Sequence, residues 1–170
     1  LEIRVGDETD LAKLLDENRG KVVLVDFWAT WCPPCMELLP HTLEMAKKYA
    51  DRGLTVVLVA INDPKEQAED VKSVLEKNGA AGVVNLLCRY GIGSEAVEKF
   101  AIDDGALPHL RLYDREGRLH AKFGASGIAP DPARIEAEVE HLLESPQGSA
   151  AADPNGGPEL IIPESQSSSS

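Results

Sequence analysis

The stretch that decides the fold runs from Val22 to Cys35 and reads VVLVDFWATWCPPC. Its first residues form a nearly continuous apolar run rich in valine, which is typical of a central strand buried on both faces of a largely parallel sheet. Cys32 and Cys35 follow where this run gives way to the start of a helix. Two residues between cysteines at a helix start bring the sulfurs close enough to form a disulfide within a small ring. The stretch therefore predicts a strand, a loop with a cysteine pair and a helix in direct succession.

A helix N-terminus carries a partial positive charge and free N–H groups, which favour a thiolate at its first cysteine. Cys32 is therefore predicted to be the exposed attacking thiol, and Cys35, which the helix covers, to resolve a mixed disulfide. A structural zinc site would need four ligands, usually as a second cysteine pair or paired histidines. The other candidates lack paired spacing, so we expect no metal and no cofactor; they are Cys88, His41, His109, His120 and His141.

The remaining patterns alternate between strands and helices. We predict strands and helices in the order βαβαβ, an insertion, and ββα, which gives an α/β fold with a mixed central sheet flanked by helices. Strands are predicted at Leu54–Ile61 and 83–87, and the hairpin at 109–113 and 119–123. Helices are predicted from the N-cap Cys32 through the helical spacing of Met36 to Ala50, from Asp63-Pro64, over 94–102 and after Asp131-Pro132.

Composition sets limits on the classes of protein. The 170 residues, 43% of them apolar, suit a single domain with a tail. A formal net charge of -12 without any basic cluster argues against nucleic acid and anionic membrane surfaces as partners. No apolar run approaches the roughly 18 residues that indicate a membrane span. Residues 1–144 are predicted to form the domain, and 145–170, rich in Ser, Pro, Gly and Ala, a disordered tail.

On these residues, the chain resembles the thioredoxin superfamily over roughly residues 1–144. The stretch from Val22 to Cys35 is similar to the family's active-site strand and loop, and Pro40 stands where the family kinks its active-site helix. Leu107-Pro108 stands where the family carries its cis-proline, and Gly124 matches the glycine that closes the following strand. The resemblance therefore implies a thioredoxin fold.

An inserted strand–helix unit, at about residues 64–90, resembles the TlpA-like branch of that superfamily. This resemblance implies protein disulfides as substrates, an upstream electron donor and an extracytoplasmic location, with the cytoplasm as the alternative. The chain begins at Leu1, so the lack of a signal peptide carries no information about the compartment. We expect a monomer. Two positions depart from thioredoxin, namely Leu107 in place of Thr and the inner pair Pro33-Pro34, and both influence substrate choice or potential.

Several residues receive predicted roles, and for Asp26 and Pro108 an alternative remains. Asp26 is interpreted as a buried acid that takes a proton from Cys35; the alternative is an outward-facing strand residue. A cis bond before Pro108 would turn the backbone of Leu107 toward Cys32, where it could pair with an extended substrate; the alternative is a trans proline starting an edge strand. Contact with substrate is also predicted for Trp31, Pro33 and Pro34, and Trp28 is expected to pack in the core.

The sequence therefore predicts a thiol–disulfide oxidoreductase that acts on protein substrates, in the reducing direction. The direction follows from Pro34, which has no N–H to donate to a Cys32 thiolate. Two alternatives remain: a non-catalytic thioredoxin-fold binding module whose disulfide is structural, and a thiol peroxidase. Cys88 is expected to be a buried, unpaired thiol.

Overall fold

A computed structural model describes residues 1–125 and 128–145. The predicted tail lies outside these residues except for Ser145. Within the described part, strands and helices alternate along most of the chain. The strands are β1 (Arg4–Gly6), β2 (Val22–Trp28), β3 (Leu54–Ala60), β4 (Val84–Cys88), β5 (His109–Tyr113) and β6 (Leu119–Phe123). The helices are α1 (Glu8–Glu17), α2 (Pro33–Lys48), α3 (Ala68–Lys77), α4 (Ser94–Lys99) and α5 (Pro132–Glu144).

The strands form one mixed sheet in the order β1-β4-β3-β2-β5-β6. The first four strands in this order run parallel, and β5 and β6 are antiparallel to their neighbours. All seven residues of β2 are buried, as the sequence predicts for a central strand covered on both faces. Because β1, β4, β3 and β2 point the same way, their carboxyl ends meet at one edge of the sheet.

Helices cover both faces of the sheet and divide the core into two layers. On one face, α2, α3 and α5 pack against side chains that include Leu24 and Trp28 of β2. On the other face, α1 and α4 pack against Val25 and Phe27 of the same strand. The period-2 alternation of side chains along β2 supplies both layers. This arrangement is the predicted mixed sheet flanked by helices.

The helix predicted from Asp63-Pro64 starts four residues later, at Ala68. The Asp63 carboxylate caps a turn instead, accepting hydrogen bonds from the N–H groups of Lys65 at 2.8 Å and Glu66 at 3.2 Å. The backbone N–H of Asp63 donates to the side chain of Gln67, and the N–H of Gln67 donates to the carbonyl of Asp63. The Asp-Pro signal was therefore wrong about the helix start, because local side-chain bonds close a turn there.

Two other differences concern segment ends. The helix predicted over 94–102 ends at Lys99, and Ala101 has a positive φ of 55° that turns the chain away from the helix axis. The sequence patterns left residues 1–20 unassigned, whereas the structure places β1 and α1 there.

The predicted hairpin and the final helix are confirmed, with Asp131 capping α5. The inserted unit that we predicted at about 64–90 covers α3 and β4.

The peptide bond between Leu107 and Pro108 is cis, and Pro108 is buried directly before β5. Gly124, which follows β6, packs against this proline and has a φ of +95°. A β-carbon at position 124 would overlap the carbonyl oxygen of Pro108. Gly124 therefore meets two requirements that only glycine satisfies, a left-handed backbone and close approach to another backbone.

We predict that Gly124→Ala destabilises the protein more than Gly82→Ala. Both glycines have a positive φ, of +95° and +89°, but a β-carbon at Gly82 would have nothing within 4 Å. The strain of the left-handed backbone is therefore common to both variants, and the overlap with Pro108 is specific to one. Urea unfolding should show an extra loss of at least about 1 kcal/mol for Gly124→Ala. Equal losses would contradict the close approach to Pro108.

Candidate active site

The cysteine pair lies at the carboxyl end of β2, where the chain passes into α2. Cys32 and Cys35 form a disulfide with their Cα atoms 5.3 Å apart. Cys32 is the N-cap of α2 and has an extended backbone, with φ -113° and ψ 101°. The N–H of Cys35 points at the Cys32 sulfur, with 3.3 Å between nitrogen and Sγ. The first cysteine therefore occupies the position where the helix field and a backbone donor both favour a negative sulfur.

Cys32 is more exposed to solvent than Cys35, as the sequence predicts, but both cysteines are largely buried. Cys32 is 5% exposed and Cys35 1%. The sequence prediction of an exposed Cys32 therefore overstates its accessibility in this disulfide form. Pro33 and Pro34 stand exposed in the first turn of α2, beside the pair.

The two prolines also limit the hydrogen bonds that Cys32 can accept. They occupy the first two positions of α2, and proline has no backbone N–H. Cys35, at the third position, is the first residue of the helix that can donate to the Cys32 sulfur, and it does so. A thiolate at Cys32 would consequently receive one direct helix bond where other N-cap residues can receive two.

Asp26 lies inside the sheet on the face that α2 covers. It is 1% exposed, and burial raises the pKa of its carboxyl group to about 7. Its Oδ2 accepts a hydrogen bond of 3.1 Å from the hydroxyl of Thr42 in α2, while its Oδ1 has no partner among the described residues. The burial of Asp26 agrees with the sequence prediction. Its carboxyl group changes charge near neutral pH, and its unpartnered oxygen can accept a proton.

The strand register places the cis-proline near the start of the cysteine loop (residues 29–32). In the antiparallel pairing of β2 with β5, Phe27 faces His109, so Pro108 comes opposite the end of β2 where the cysteine loop begins. Leu107 is half-buried and packs against both layers of the core. The register therefore brings Leu107, Pro108 and the cysteine pair to one edge of the sheet.

His109 follows the proline but stays neutral at neutral pH. It is 1% exposed, and its ring packs against Phe27 with centroids 5.7 Å apart. Burial, together with the nearby Arg111 guanidinium, lowers the pKa of His109 to about 4. His109 therefore brings no positive charge to this end of β5 at neutral pH.

The two tryptophans around the cysteine loop have different environments. Trp28 is 1% exposed and belongs to the core layer beneath α2. Trp31, directly before Cys32, is 47% exposed, and its indole Nε1 donates a 3.1 Å hydrogen bond to the carbonyl of Ile61. Trp31 thus presents an apolar surface next to the sulfur pair while its polar edge is fixed.

Sequence reasoning missed three polar residues at this site: Thr42, Asn62 and Gln67. Thr42 bonds to Asp26, and Asn62 bonds to Thr30 and Gln67. Asn62 carried a recognisable signal, because it comes two residues after the buried strand β3, at the sheet edge where the other functional residues lie. Thr42 carried none, since a single threonine within a helix has no distinguishing pattern.

Three further findings concern the described residues outside the cysteine pair. Among them, no group of three or more His, Cys, Asp or Glu side chains is placed to hold a metal ion. In the same ranges, no helix is long and apolar enough to cross a membrane. Cys88 is buried and unpaired, as predicted, and burial raises the pKa of its thiol.

Comparison with known proteins agrees with this geometry. The profile of the Redoxin family matches residues 5–134. The chain is 28% identical over 105 residues to the thiol-disulfide oxidoreductase ResA of Bacillus thuringiensis, covering 62% of this chain and 56% of that protein. It is 36% identical over 111 residues to ResA of Geobacillus thermodenitrificans, covering 62% and 55% respectively. The chain thus spans about half the length of these curated relatives.

A solved structure is similar over most of its length. The thioredoxin family thiol:disulfide interchange protein of Chlorobium tepidum is 28% identical and superposes with a TM-score of 0.58. The superposition covers 75% of this chain and 83% of that protein. The sheet order, the cysteine pair at the α2 N-cap and the match over residues 5–134 lead to one conclusion: the chain belongs to the Redoxin family, within the thioredoxin superfamily, and is similar to its TlpA- and ResA-like members.

Proposed function

We propose that this protein is a thiol–disulfide oxidoreductase that reduces disulfides in protein substrates through Cys32 and Cys35. The observation that carries the proposal is the cysteine pair at the N-terminus of α2, together with the buried acid Asp26 on the sheet face that α2 covers and Pro108 opposite the end of β2. A disulfide with only a structural role would need neither the acid nor the proline.

The proposed reaction moves two electrons from the reduced pair to the substrate. The Cys32 thiolate attacks one sulfur of the substrate disulfide, and the other substrate sulfur leaves as a thiolate. The Cys35 thiol then loses its proton and attacks Cys32, which breaks the mixed disulfide and releases the second substrate thiolate. The products are the Cys32–Cys35 disulfide and a substrate dithiol.

Asp26 is proposed to accept the proton that Cys35 loses. A general base works best when its pKa lies near the working pH, and that of Asp26 is raised to about 7. The alternative role, an outward-facing strand residue, does not agree with its 1% exposure.

Substrate binding is proposed for Trp31, Pro33, Pro34, Leu107 and Pro108. The exposed indole of Trp31 and the two exposed prolines offer apolar contact around Cys32. The backbone of Leu107, which precedes Pro108 at this edge of the sheet, is proposed to pair with an extended substrate segment. An unfolded or apolar-rich stretch around the substrate cysteine fits such a surface.

The reducing direction is proposed from the single helix donor to Cys32. Strong oxidants of this kind depend on a much stabilised thiolate, which favours the reduced form. Here one N–H reaches the sulfur, and His109 adds no charge at neutral pH. After each turnover the pair needs an upstream electron donor. By resemblance to the TlpA-like branch, we propose that the protein works outside the cytoplasm. We also propose that it is a monomer.

Cys32 is predicted to be the thiol that attacks. Alkylation of the fully reduced protein at mildly acidic pH, followed by mass spectrometry of the peptides, should label Cys32 before Cys35 and Cys88. Cys35→Ser should accumulate mixed disulfides with protein substrates, because the resolving thiol is gone, and Cys32→Ser should accumulate none. Cys88→Ser serves as a matched control and should behave as wild type. Earlier labelling of Cys35 would reverse the two roles.

Asp26→Asn is predicted to slow disulfide reduction by about 100-fold or more, because the proton acceptor is lost. The variant should also be more stable, by an amount that grows with pH. The carboxyl pKa rises from 3.8 to about 7 on folding, so the native state loses stability as pH increases through this window, and asparagine does not. The gain in the free energy of unfolding approaches about 4 kcal/mol above pH 7 and vanishes below pH 3.8, the pKa of the carboxyl group in the unfolded chain. Between these two pH values the gain changes by about 1.36 kcal/mol for each pH unit.

The measurements for Asp26→Asn are urea unfolding at several pH values and turnover with a protein disulfide. A stability gain that is the same at pH 4 and pH 8 would contradict a buried, titrating carboxyl group. If Asp26→Asn turns over a protein disulfide at the wild-type rate across neutral pH, Asp26 does not act as a base.

The reduction potential is predicted to lie nearer the thioredoxin value of about -270 mV than the strong-oxidant value of about -120 mV. Equilibration against a glutathione redox buffer measures it directly. Pro34→His restores an N–H at the second helix position and adds a possible cation, so it should raise the potential. A wild-type value above about -180 mV, the range of isomerases, would make the reductase direction wrong.

A further inference from the structure

The side chain of Asn62 is fully buried and bonds to the cysteine loop. Asn62 is 0% exposed and follows β3 by two residues. Its Nδ2 donates to the hydroxyl of Thr30 at 2.8 Å, and its Oδ1 accepts from the backbone N–H of Thr30 at 3.3 Å. A buried amide is costly unless its polar atoms are paired, and these atoms are paired with a residue two positions before Cys32.

Gln67 fixes the orientation of that amide. Its Oε1 accepts the backbone N–H of Asp63 at 3.0 Å, so an oxygen must stand at this position. The same Oε1 accepts a 3.0 Å hydrogen bond from Asn62, which must therefore present its NH₂ group there. The oxygen of Asn62 is then the atom that faces the N–H of Thr30.

A second contact joins the same two segments. The carbonyl of Ile61, which precedes Asn62, accepts the indole N–H of Trp31 at 3.1 Å. Thr30 and Trp31, the two residues directly before Cys32, are consequently held by Asn62 and Ile61 respectively. On the other side of the loop, the N–H of Cys32 donates to the carbonyl of Ala29 at 3.2 Å.

We propose that Asn62 is a positioning residue that holds Cys32 at the N-cap of α2 and so stabilises its thiolate. This inference rests on the proposed function and adds to it a residue that acts through the cysteine loop. Cys32 has one direct helix donor, the N–H of Cys35, so the thiolate loses its direct bond if the loop shifts. Asn62 prevents that shift by fixing Thr30 through two bonds, while Ile61 fixes Trp31.

The test compares Asn62→Ala with Asn85→Ala. Asn85, in β4, is also buried, at 4% exposure, but its Nδ2 and Oδ1 have no partner among the described residues. Its removal therefore controls for the general effect of deleting a buried amide. The readout is the rate of alkylation of Cys32 in the reduced protein as a function of pH, followed on its peptide by mass spectrometry.

At a pH well below the midpoint, Asn62→Ala should lower the alkylation rate of Cys32 by about tenfold, which corresponds to an upward move of the pH midpoint by about one unit. Its equilibrium with glutathione should shift toward the disulfide form. Asn85→Ala should leave the midpoint where wild type has it. An unchanged midpoint in Asn62→Ala, or equal shifts in both variants, would overturn the proposal.

A second pair of variants decides the question if Asn62→Ala does not fold. Thr30→Val keeps the size and the backbone N–H of Thr30 but removes the hydroxyl acceptor, whereas Thr30→Ser keeps that acceptor. Thr30→Val should move the midpoint in the same direction by a smaller amount, and Thr30→Ser should resemble wild type. A wild-type midpoint in Thr30→Val would then overturn the proposal. The alkylation profile needs no substrate, so a wild-type protein unable to reduce protein disulfides would contradict only the proposed function.

Discussion

The position of the cysteine pair depends on one constraint, the burial of β2 on both faces. This strand is hydrogen-bonded between β3 and β5, and its alternating side chains fill the core layers above and below the sheet. A shift of one residue would exchange the two layers, so the register of β2 is strongly specified. Because only four residues separate the end of β2 from the start of α2, that register also fixes where Cys32 meets the helix N-terminus.

Several polar groups inside this core lack a hydrogen-bond partner among the described residues and carry a cost in stability. Among the described residues, neither Oδ1 of Asp26 nor the ring Nε2 of His109 has a hydrogen-bond partner. A buried carboxyl group without full hydrogen bonding is less stable than an apolar or amide side chain at the same place. Local departures from the best packing are expected where a site must hold a titrating group. The buried acid thus lowers the stability of the fold, and the proposed role of Asp26 as a proton acceptor gives a reason for its presence.

Three loops from distant parts of the chain meet at the carboxyl edge of the parallel strands. The cysteine loop follows β2, residues 61–67 follow β3, and the cis-proline precedes β5. Each loop is tied to another element by a polar or close backbone contact: Asn62 to Thr30, Ile61 to Trp31, and Gly124 to Pro108. The rigid sheet places the loops side by side, and these contacts then set the position of each within the site.

By itself, the sequence determined the features that short-range patterns encode. These include the buried strand before Cys32, the cysteine pair at a helix start, the hairpin, α5 and the burial of Asp26. Each depends on periodicity, on a turn or cap, or on residues two to four positions apart, which can be read without the fold. The pattern failed at Asp63-Pro64, where Gln67 closes a turn that competes with a helix start.

Only the tertiary structure decided the contacts between residues far apart in the chain. Thr42 lies 16 positions from Asp26, and Asn62 lies 32 positions from Thr30, so no local pattern links either pair. The same holds for Gly124, whose lack of a side chain has meaning only beside Pro108. Sequence therefore specified which residues could carry out the chemistry, and the packing of strands and helices specified which polar groups surround them, because that selection depends on distances that only folding sets.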